Sequence, residues 1–171
     1  MSEKMSAKDL VKDIDTCFSA FDNIIHKYGI EKIKTIGDAY LCAGGLPNAN
    51  ISHADDVVKK ALDIRDFMTK YNIEKLTQSD LPFEMRMSIH ADSITTSIVG
   101  VKKFTYDMCG DTVNVANSME SHDKAGRVNI SESTYELLKD KCNCTPRGKV
   151  VVKSKIEIDM YFVERSKIAC L

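Results

Sequence analysis

The stretch IKTIGDAY at residues 33–40 decides the fold of this chain. Two apolar-rich runs flank the pair Gly37-Asp38, and a Gly-x pair between such runs predicts a tight hairpin turn. The hairpin places the Asp38 carboxylate at its tip and Lys34 on the incoming strand. A carboxylate on a stiff hairpin can ligate a hard cation such as Mg²⁺. From the residues alone a plainer interpretation is favoured, in which Asp38 is a turn former and Lys34 a solvated charge at a strand edge.

Helical patterns lie on both sides of this hairpin. A capping box begins at Ser6, and apolar residues then recur at helical spacing until Gly29 ends the helix. A second helix begins after Ser52, and the polar residues 72–80 predict a loop behind it. Alternation of apolar and polar residues over 83–90 predicts a half-buried strand.

The second half of the chain is expected to form a strand, a loop, a helix, a short strand, a helix and a final hairpin. Their bounds are about 93–99, 102–110, 112–120, 128–130, 131–138, and 149–152 with 159–163. Helices packed on a mostly antiparallel sheet make this an α+β domain, and the order of elements suits a ferredoxin-like core with extra hairpins. We find no internal repeat and no domain boundary, so residues 1–171 are interpreted as a single domain.

Composition narrows the class of protein. A length of 171 residues suits one domain with a proper core. The net charge of −1 argues against a ferredoxin-like nucleic-acid binder, which needs a basic surface. No apolar run approaches the length of a membrane span, and the charged N-terminus is unlike a signal peptide. The six cysteines fit neither a zinc site nor a disulfide framework, so we expect reduced thiols and a cytoplasmic domain.

A second stretch, FTYDMCGDTVNVA at residues 104–116, runs from a polar loop into the predicted helix. Residues 32–47 and 106–119 together resemble the catalytic domain of the class III adenylate and guanylate cyclases. The resemblance continues through GRVNIS at 126–131 and YFV at 161–163. It therefore covers nearly the whole chain, and the combination is far more specific than any one short motif.

The resemblance implies a reaction and an assembly. In this family the ribose 3′-hydroxyl of a nucleoside triphosphate attacks the α-phosphate and pyrophosphate leaves, with two Mg²⁺ or Mn²⁺ ions at each site. The site lies between two catalytic domains, so the resemblance implies a homodimer. It also implies ATP as substrate, cyclic AMP as product, a role in signal transduction, and fusion to an upstream sensor or regulatory domain, with tethering to a membrane protein as one form of the whole protein.

The resemblance also assigns roles to five residues. Asp38 matches a metal-binding aspartate. Lys34 and Asp107 match the positions that read the purine, where Lys and Asp imply adenine; the alternatives are a surface lysine and a loop aspartate. Asn114 matches the asparagine that orients the ribose, or is a helix-end cap. Lys153 matches a lysine that contacts the triphosphate, or is a solvated hairpin charge.

Three departures from the family pattern qualify these roles, and one is the replacement of family glycines over residues 88–97 and at Ser154 and Ile156. The family has a strand before the first helix that carries the first metal aspartate, and here residues 2–6 already look like the lead-in to the helix. Ser118 stands where the family has an arginine that faces the phosphates. We therefore expect weak activity of this chain alone, and a non-catalytic dimerisation or regulatory module is the alternative function. His90 is interpreted as a structural histidine rather than a catalytic base.

Overall fold

The computed structural model describes residues 6–99, 105–152 and 157–166. These residues form four helices and eight strands, and helices packed against a mixed sheet confirm the predicted α+β class. In chain order the elements are α1 Ala7–His26, β1 Ile30–Ile36, β2 Ala39–Gly44, α2 His53–Thr77, β3 Met87–Ile89, β4 Thr95–Val99, β5 Thr105–Cys109, α3 Asp111–Ser121, β6 Val128–Ser131, α4 Glu132–Leu138, β7 Asn143–Val151 and β8 Glu157–Glu164.

Strand pairing divides the described strands into a main sheet and two hairpins. The main sheet has the order β3-β6-β8-β7, with β3 parallel to β6 and the other pairs antiparallel. The antiparallel hairpins β1-β2 and β4-β5 are each two-stranded units. The main sheet provides the support, and the two hairpins carry residues that the sequence assigned to the site.

Two apolar clusters hold the layers together. One packs α2 and α4 on the main sheet, and its buried members are Ala54, Val58, Leu62, Val128, Ile130, Leu138 and Val163. The other packs α1 and α2 beside the first hairpin, and its buried members are Cys17, Phe21, Ile25, Ile30, Ile64 and Met68. Because both clusters include α2, this helix joins the hairpin to the main sheet.

The predicted start of α1 is confirmed. Ser6 is the N-cap, and its side chain accepts a hydrogen bond from the backbone N–H of Asp9 at 3.2 Å. The cysteines that the structure describes as free thiols are Cys17, Cys42, Cys142 and Cys144, as expected for reduced cysteines. Within the described ranges no helix is both long and apolar enough to cross a membrane.

The loop predicted over residues 72–80 is wrong for most of its length, because α2 continues to Thr77. The cause lies on α1, where the buried Asp13 accepts hydrogen bonds from Tyr71 Oη at 2.7 Å and Lys75 Nζ at 2.5 Å. These contacts fix the last turns of α2 against α1. A partner some sixty residues away in sequence leaves no trace in the local pattern.

Three further boundaries differ from the sequence prediction. The loop predicted around 102–110 includes strand β5, which pairs with β4. The strand predicted over 83–90 forms hydrogen-bonded pairs only at Met87–Ile89, although Phe83 and Met85 are partly buried as the alternation requires. Strand β7 begins at Asn143, earlier than predicted, and includes Pro146, which β7 tolerates because it lies at the edge of the sheet.

Candidate active site

The first hairpin places Asp38 at an exposed tip. Thr35 pairs with Tyr40 and Ile36 with Ala39, so Gly37 and Asp38 form a two-residue turn. Gly37 has φ +61°, the left-handed conformation that glycine adopts without steric cost. The glycine at the first position is what this tight turn needs, and it holds the Asp38 carboxylate beyond the ends of both strands.

A β-bulge in β1 separates two lysines that a regular strand would put on one face. Lys32 pairs with Cys42 and Lys34 with Leu41, so the extra residue Ile33 has no partner in the register. Lys32 Nζ then contacts Asp22 of α1 at 2.8 Å, whereas Lys34 turns towards the second hairpin. The bulge therefore frees Lys34 from the helix layer.

Lys34 meets Asp107, which lies 73 residues further along the chain on β5. Lys34 Nζ donates to Asp107 Oδ2 at 2.7 Å, and the Met108 backbone N–H donates to Asp107 Oδ1 at 2.8 Å. The hydrogen bond from Lys34 lowers the pKa of the Asp107 carboxyl below its usual value, and the Met108 N–H acts in the same direction. The two side chains stay 32% and 24% exposed, so a ligand can reach both.

Asn114 lies on the exposed side of α3, in its first turn. Gly110 is the N-cap of this helix, so the alternative that Asn114 is a helix-end cap is wrong. The neighbouring Thr112 is buried, and its Oγ1 donates to the Ser93 carbonyl at 2.5 Å. This contact fixes the start of α3 and leaves the Asn114 amide open to solvent.

Ser118 is buried against the body of the domain, with 6% of its surface exposed. Its backbone carbonyl accepts a hydrogen bond from His122 Nδ1 at 2.8 Å. A serine hydroxyl in this place supplies no cation to a bound phosphate.

Comparison with known proteins identifies the family. The model of the adenylate and guanylate cyclase catalytic domain matches residues 1–165. The chain belongs to this family. One relative, an adenylate cyclase of Mycobacterium tuberculosis, is 34% identical over 161 residues, covering 94% of this chain and 35% of the relative. The chain thus spans about a third of the length of that adenylate cyclase, and 11% of the length of a membrane guanylyl cyclase from Dictyostelium discoideum.

Solved cyclase structures share the fold closely. The guanylate cyclase domain of RhGC from Catenaria anguillulae, in complex with GTP, is 33% identical with a TM-score of 0.86, covering 97% of this chain and 89% of that chain. The catalytic core of a rhodopsin-guanylyl cyclase with converted specificity, in complex with ATPαS, is 34% identical with a TM-score of 0.85, covering 96% and 88%. This chain is therefore a nucleotide cyclase catalytic domain.

Asp38 is the residue that the resemblance assigned to metal binding. Over the described residues, no three His, Cys, Asp or Glu side chains form a group that would hold a metal ion. Asp38 at the hairpin tip fits one Mg²⁺ that arrives with the phosphates of a nucleotide, because Mg²⁺ is commonly held by one or two carboxylates and substrate phosphates. The two-metal centre that the sequence resemblance implied stays a prediction.

His90 is placed as a structural residue, in agreement with its interpretation from sequence. Its Nδ1 lies 2.9 Å from Ser131 Oγ and 3.3 Å from Ser133 Oγ, both at the start of α4. Burial lowers the pKa of the His90 imidazole below its usual value. The ring therefore joins the end of β3 to α4. Lys153, the fifth residue assigned by resemblance, lies outside the described residues.

Sequence reasoning missed two features around the site. One is the bulge at Ile33, which directs Lys34 to Asp107. The other is a buried polar cluster behind α3, built on Asp123 and Arg147. A signal for the cluster is present in β6, where the polar residue Asn129 lies in a strand that is buried at every position. A polar side chain inside such a strand requires hydrogen-bond partners from neighbouring elements.

Proposed function

We propose that this domain converts ATP into cyclic AMP and pyrophosphate, at a site completed by a second copy of the chain. The observation that carries the proposal is the contact between Lys34 and Asp107. A cation and a carboxylate, brought together from two hairpins and partly open to solvent, are a matched donor and acceptor for one edge of a purine.

Hydrogen-bond polarity favours adenine. Lys34 is a donor and suits the N1 acceptor of adenine, while Asp107 is an acceptor and suits the exocyclic amine. Guanine has the opposite polarity at both atoms, so its binding would leave the polar groups of Lys34 and Asp107 unpaired. The related rhodopsin-guanylyl cyclase core with converted specificity is a complex with ATPαS, which supports the use of an adenine nucleotide by this fold.

The cyclisation forms one bond and breaks one bond. The ribose 3′-oxygen bonds to the α-phosphorus, the bond from that phosphorus to the bridging oxygen breaks, and the hydroxyl proton leaves to solvent. Asn114 orients the ribose through its amide, and Lys34 with Asp107 fixes the base. Asp38 would hold a Mg²⁺ ion together with the phosphates, and that ion would balance charge on them. We also assign to Lys153 a contact with the triphosphate.

The exposure of these residues supports a shared site. Asp38 and Asn114 are exposed, and Lys34 and Asp107 are partly exposed. A cavity of about 250 Å³ lies between α2 and residues 82–87, and none of the four lines it. In the shared site that we propose, Lys34, Asp107 and Asn114 of one copy hold the base and ribose, and Asp38 of the second copy holds the metal with the phosphates.

The base preference is tested by exchanging the purine-reading pair. Lys34→Glu with Asp107→Cys removes the donor to adenine N1 and the acceptor for its amine. We expect the ratio of ATP to GTP affinity to fall by about tenfold or more, because a wrong purine leaves polar groups unpaired. Affinity is measured by calorimetric titration, and cyclic AMP and cyclic GMP are quantified with Mn²⁺ present.

Lys32→Glu is the matched control for the Lys34→Glu half of this variant, since it makes the same charge change two residues away, at a lysine that contacts Asp22. It should leave the ratio of ATP to GTP affinity unchanged. Equal losses for both nucleotides in the double variant would show that the pair does not read the base. ATP binding without any cyclic AMP would contradict the cyclase proposal and favour the non-catalytic module, a second candidate that the buried Ser118 supports.

The shared site requires self-association. We expect sedimentation velocity at high micromolar concentration to show a dimer, and ATP to raise its proportion because both copies would contact the nucleotide. A protein that binds ATP as a monomer at every concentration would contradict the shared site. A monomer that binds no nucleotide would contradict the proposed function as a whole.

A further inference from the structure

A buried carboxylate lies behind the end of α3. The Asp123 side chain is 0% exposed, and it follows the last residue of α3 by two positions. Asp123 Oδ2 accepts from the Met87 backbone N–H at 3.2 Å, and Oδ1 accepts from the Lys124 N–H at 2.7 Å. The Ser88 hydroxyl donates to Oδ2 at 3.5 Å. Asp123 thus joins the end of α3 to the start of β3.

Arg147 of β7 completes this connection. Its Nη1 lies 3.5 Å from Asp123 Oδ1, and its Nη2 donates to the carbonyl of His122. The Arg147 guanidinium lies over the Phe162 ring at 5.2 Å, and with the Asn129 amide oriented to satisfy its neighbours, Nη1 also donates to the amide oxygen at 3.2 Å. Strands β3 and β7 therefore contact the segment that follows α3, and Arg147 in turn contacts Phe162 of β8 and Asn129 of β6.

The other end of α3 is fixed to the same stretch of chain. Thr112 Oγ1 donates to the Ser93 carbonyl at 2.5 Å, five residues beyond Ser88. This eleven-residue helix is about 16 Å long, and Ser118 and Met119 bury one of its sides against the domain. The polar contacts at its two ends add to this packing, and the helix carries Asn114 between them.

The segment that receives both contacts also supports the second hairpin. It continues into β4, which pairs with β5, where Ser97 lies opposite Asp107. The supports of Asn114 and Asp107 are therefore the same short piece of chain. A shift of α3 relative to this piece would change the spacing between the ribose-facing and the base-facing residues.

We propose that Asp123 is a positioning residue for the nucleotide site: together with Arg147 it fixes the end of α3 and so holds Asn114 at the ribose. The inference rests on the proposed nucleotide site, and it adds to that site a residue that touches no substrate. Asp123 acts only through the helix, which separates its role from that of Lys34 and Asp107.

The decisive experiment is a double-mutant cycle between Asp123→Ala and Asn114→Ala, read as ATP affinity. If Asp123 acts through Asn114, Asp123→Ala weakens ATP binding about fivefold in the normal background and has almost no effect when Asn114 is already alanine. The ratio of ATP to GTP affinity stays constant in every variant. Equal losses in both backgrounds would overturn the proposal.

A second measurement is independent of any nucleotide. Hydrogen exchange of the α3 amides should become faster in Asp123→Ala, while the exposed control Asp140→Ala leaves it unchanged. Asp123→Asn keeps one acceptor and should give an intermediate rate and affinity if the first variant folds poorly. Unchanged exchange in both Asp123 variants would overturn the inference. If the expected differences in hydrogen exchange appear but the protein binds no ATP, the proposed function is the part that has failed.

Discussion

Two Lys–Asp pairs of nearly equal length occupy opposite parts of this domain. Lys75 Nζ and Asp13 Oδ2 are 2.5 Å apart between α1 and α2, with side chains 12% and 7% exposed. Lys34 Nζ and Asp107 Oδ2 are 2.7 Å apart between the two hairpins, with 32% and 24% exposed. The chemistry is the same in both places, and burial is the difference.

Burial decides what each pair is suited to do. Asp13 also accepts a hydrogen bond from Tyr71 Oη, so its carboxylate is satisfied within the protein and closed to ligands. The pair of Lys34 and Asp107 is only partly covered. Water or a purine can therefore take the place of either residue as the hydrogen-bond partner of the other, at little cost in free energy. The buried pair fixes helices, and the exposed pair is available for recognition.

Breaking the buried pair should give the largest loss of stability. Asp13→Ala leaves the Lys75 ammonium in a covered place without its counter-charge, which typically costs about 3 kcal/mol or more. We expect urea denaturation to show this decrease in the free energy of unfolding, and α2 to lose order in its last turns.

The matched variant at the exposed pair is Asp107→Ala, which leaves Lys34 free to turn into water. Its unfolding free energy should fall by no more than about 1 kcal/mol, the range of exposed ion pairs. If the two variants lost equal stability, burial would not be what distinguishes the pairs. Replacing Asp13 and Lys75 together by Leu and Met should recover much of the loss, since neither charge is then left unpaired.

Asp123 extends the comparison of buried and exposed charges to the effect of pH on stability. Burial raises the pKa of its carboxyl from an ordinary 3.8 to about 6, against the opposing hydrogen bonds of Lys124 and Met87 and the charge of Arg147. A raised carboxyl pKa means that the folded state holds the proton more tightly than the unfolded state. The proton on Asp123 therefore contributes its full stabilisation of the folded state below the ordinary pKa, and this stabilisation is lost as the pH rises through about 6.

The measurement is the difference in unfolding free energy between the normal protein and Asp123→Asn, from pH 5 to pH 8. As the pH rises, the normal protein should lose about 1–2 kcal/mol of unfolding free energy relative to Asp123→Asn, because one pKa unit corresponds to about 1.4 kcal/mol. Groups that titrate far from Asp123 are common to both proteins and cancel. A constant difference would contradict the burial of this charge.

Local signals predicted the elements whose causes are local. The Ser6 cap and the Gly37-Asp38 turn are each set by residues within a few positions, and the structure has both. The predictions for the end of α2 and for strand β5 were wrong because the contacts that determine these elements come from distant parts of the chain. Asp13 holds the end of α2 from another helix, and β5 is a strand only by virtue of its pairing with β4.

The candidate site also combines features with local causes and features with distant causes. The spacing of Lys34 and Asp107 in sequence contains no sign that they touch, and only the family resemblance placed them in one site. The bulge that makes their contact possible depends on a register with Cys42 and Leu41 that the residues of β1 alone do not specify. The roles of Asp38 and Asn114 remain predictions, and the double-mutant cycle proposed above tests that of Asn114.

The edge strand β7 has a consequence for solubility and assembly. Pro146 offers no backbone donor there, and the ladder between β7 and β8 changes register between Pro146 and Gly148. An interrupted edge is a poor template for another strand, so that side of the main sheet resists the edge-to-edge growth that leads to fibres. Copies of this domain therefore have to meet through side-chain surfaces there, and not by extending the sheet past β7.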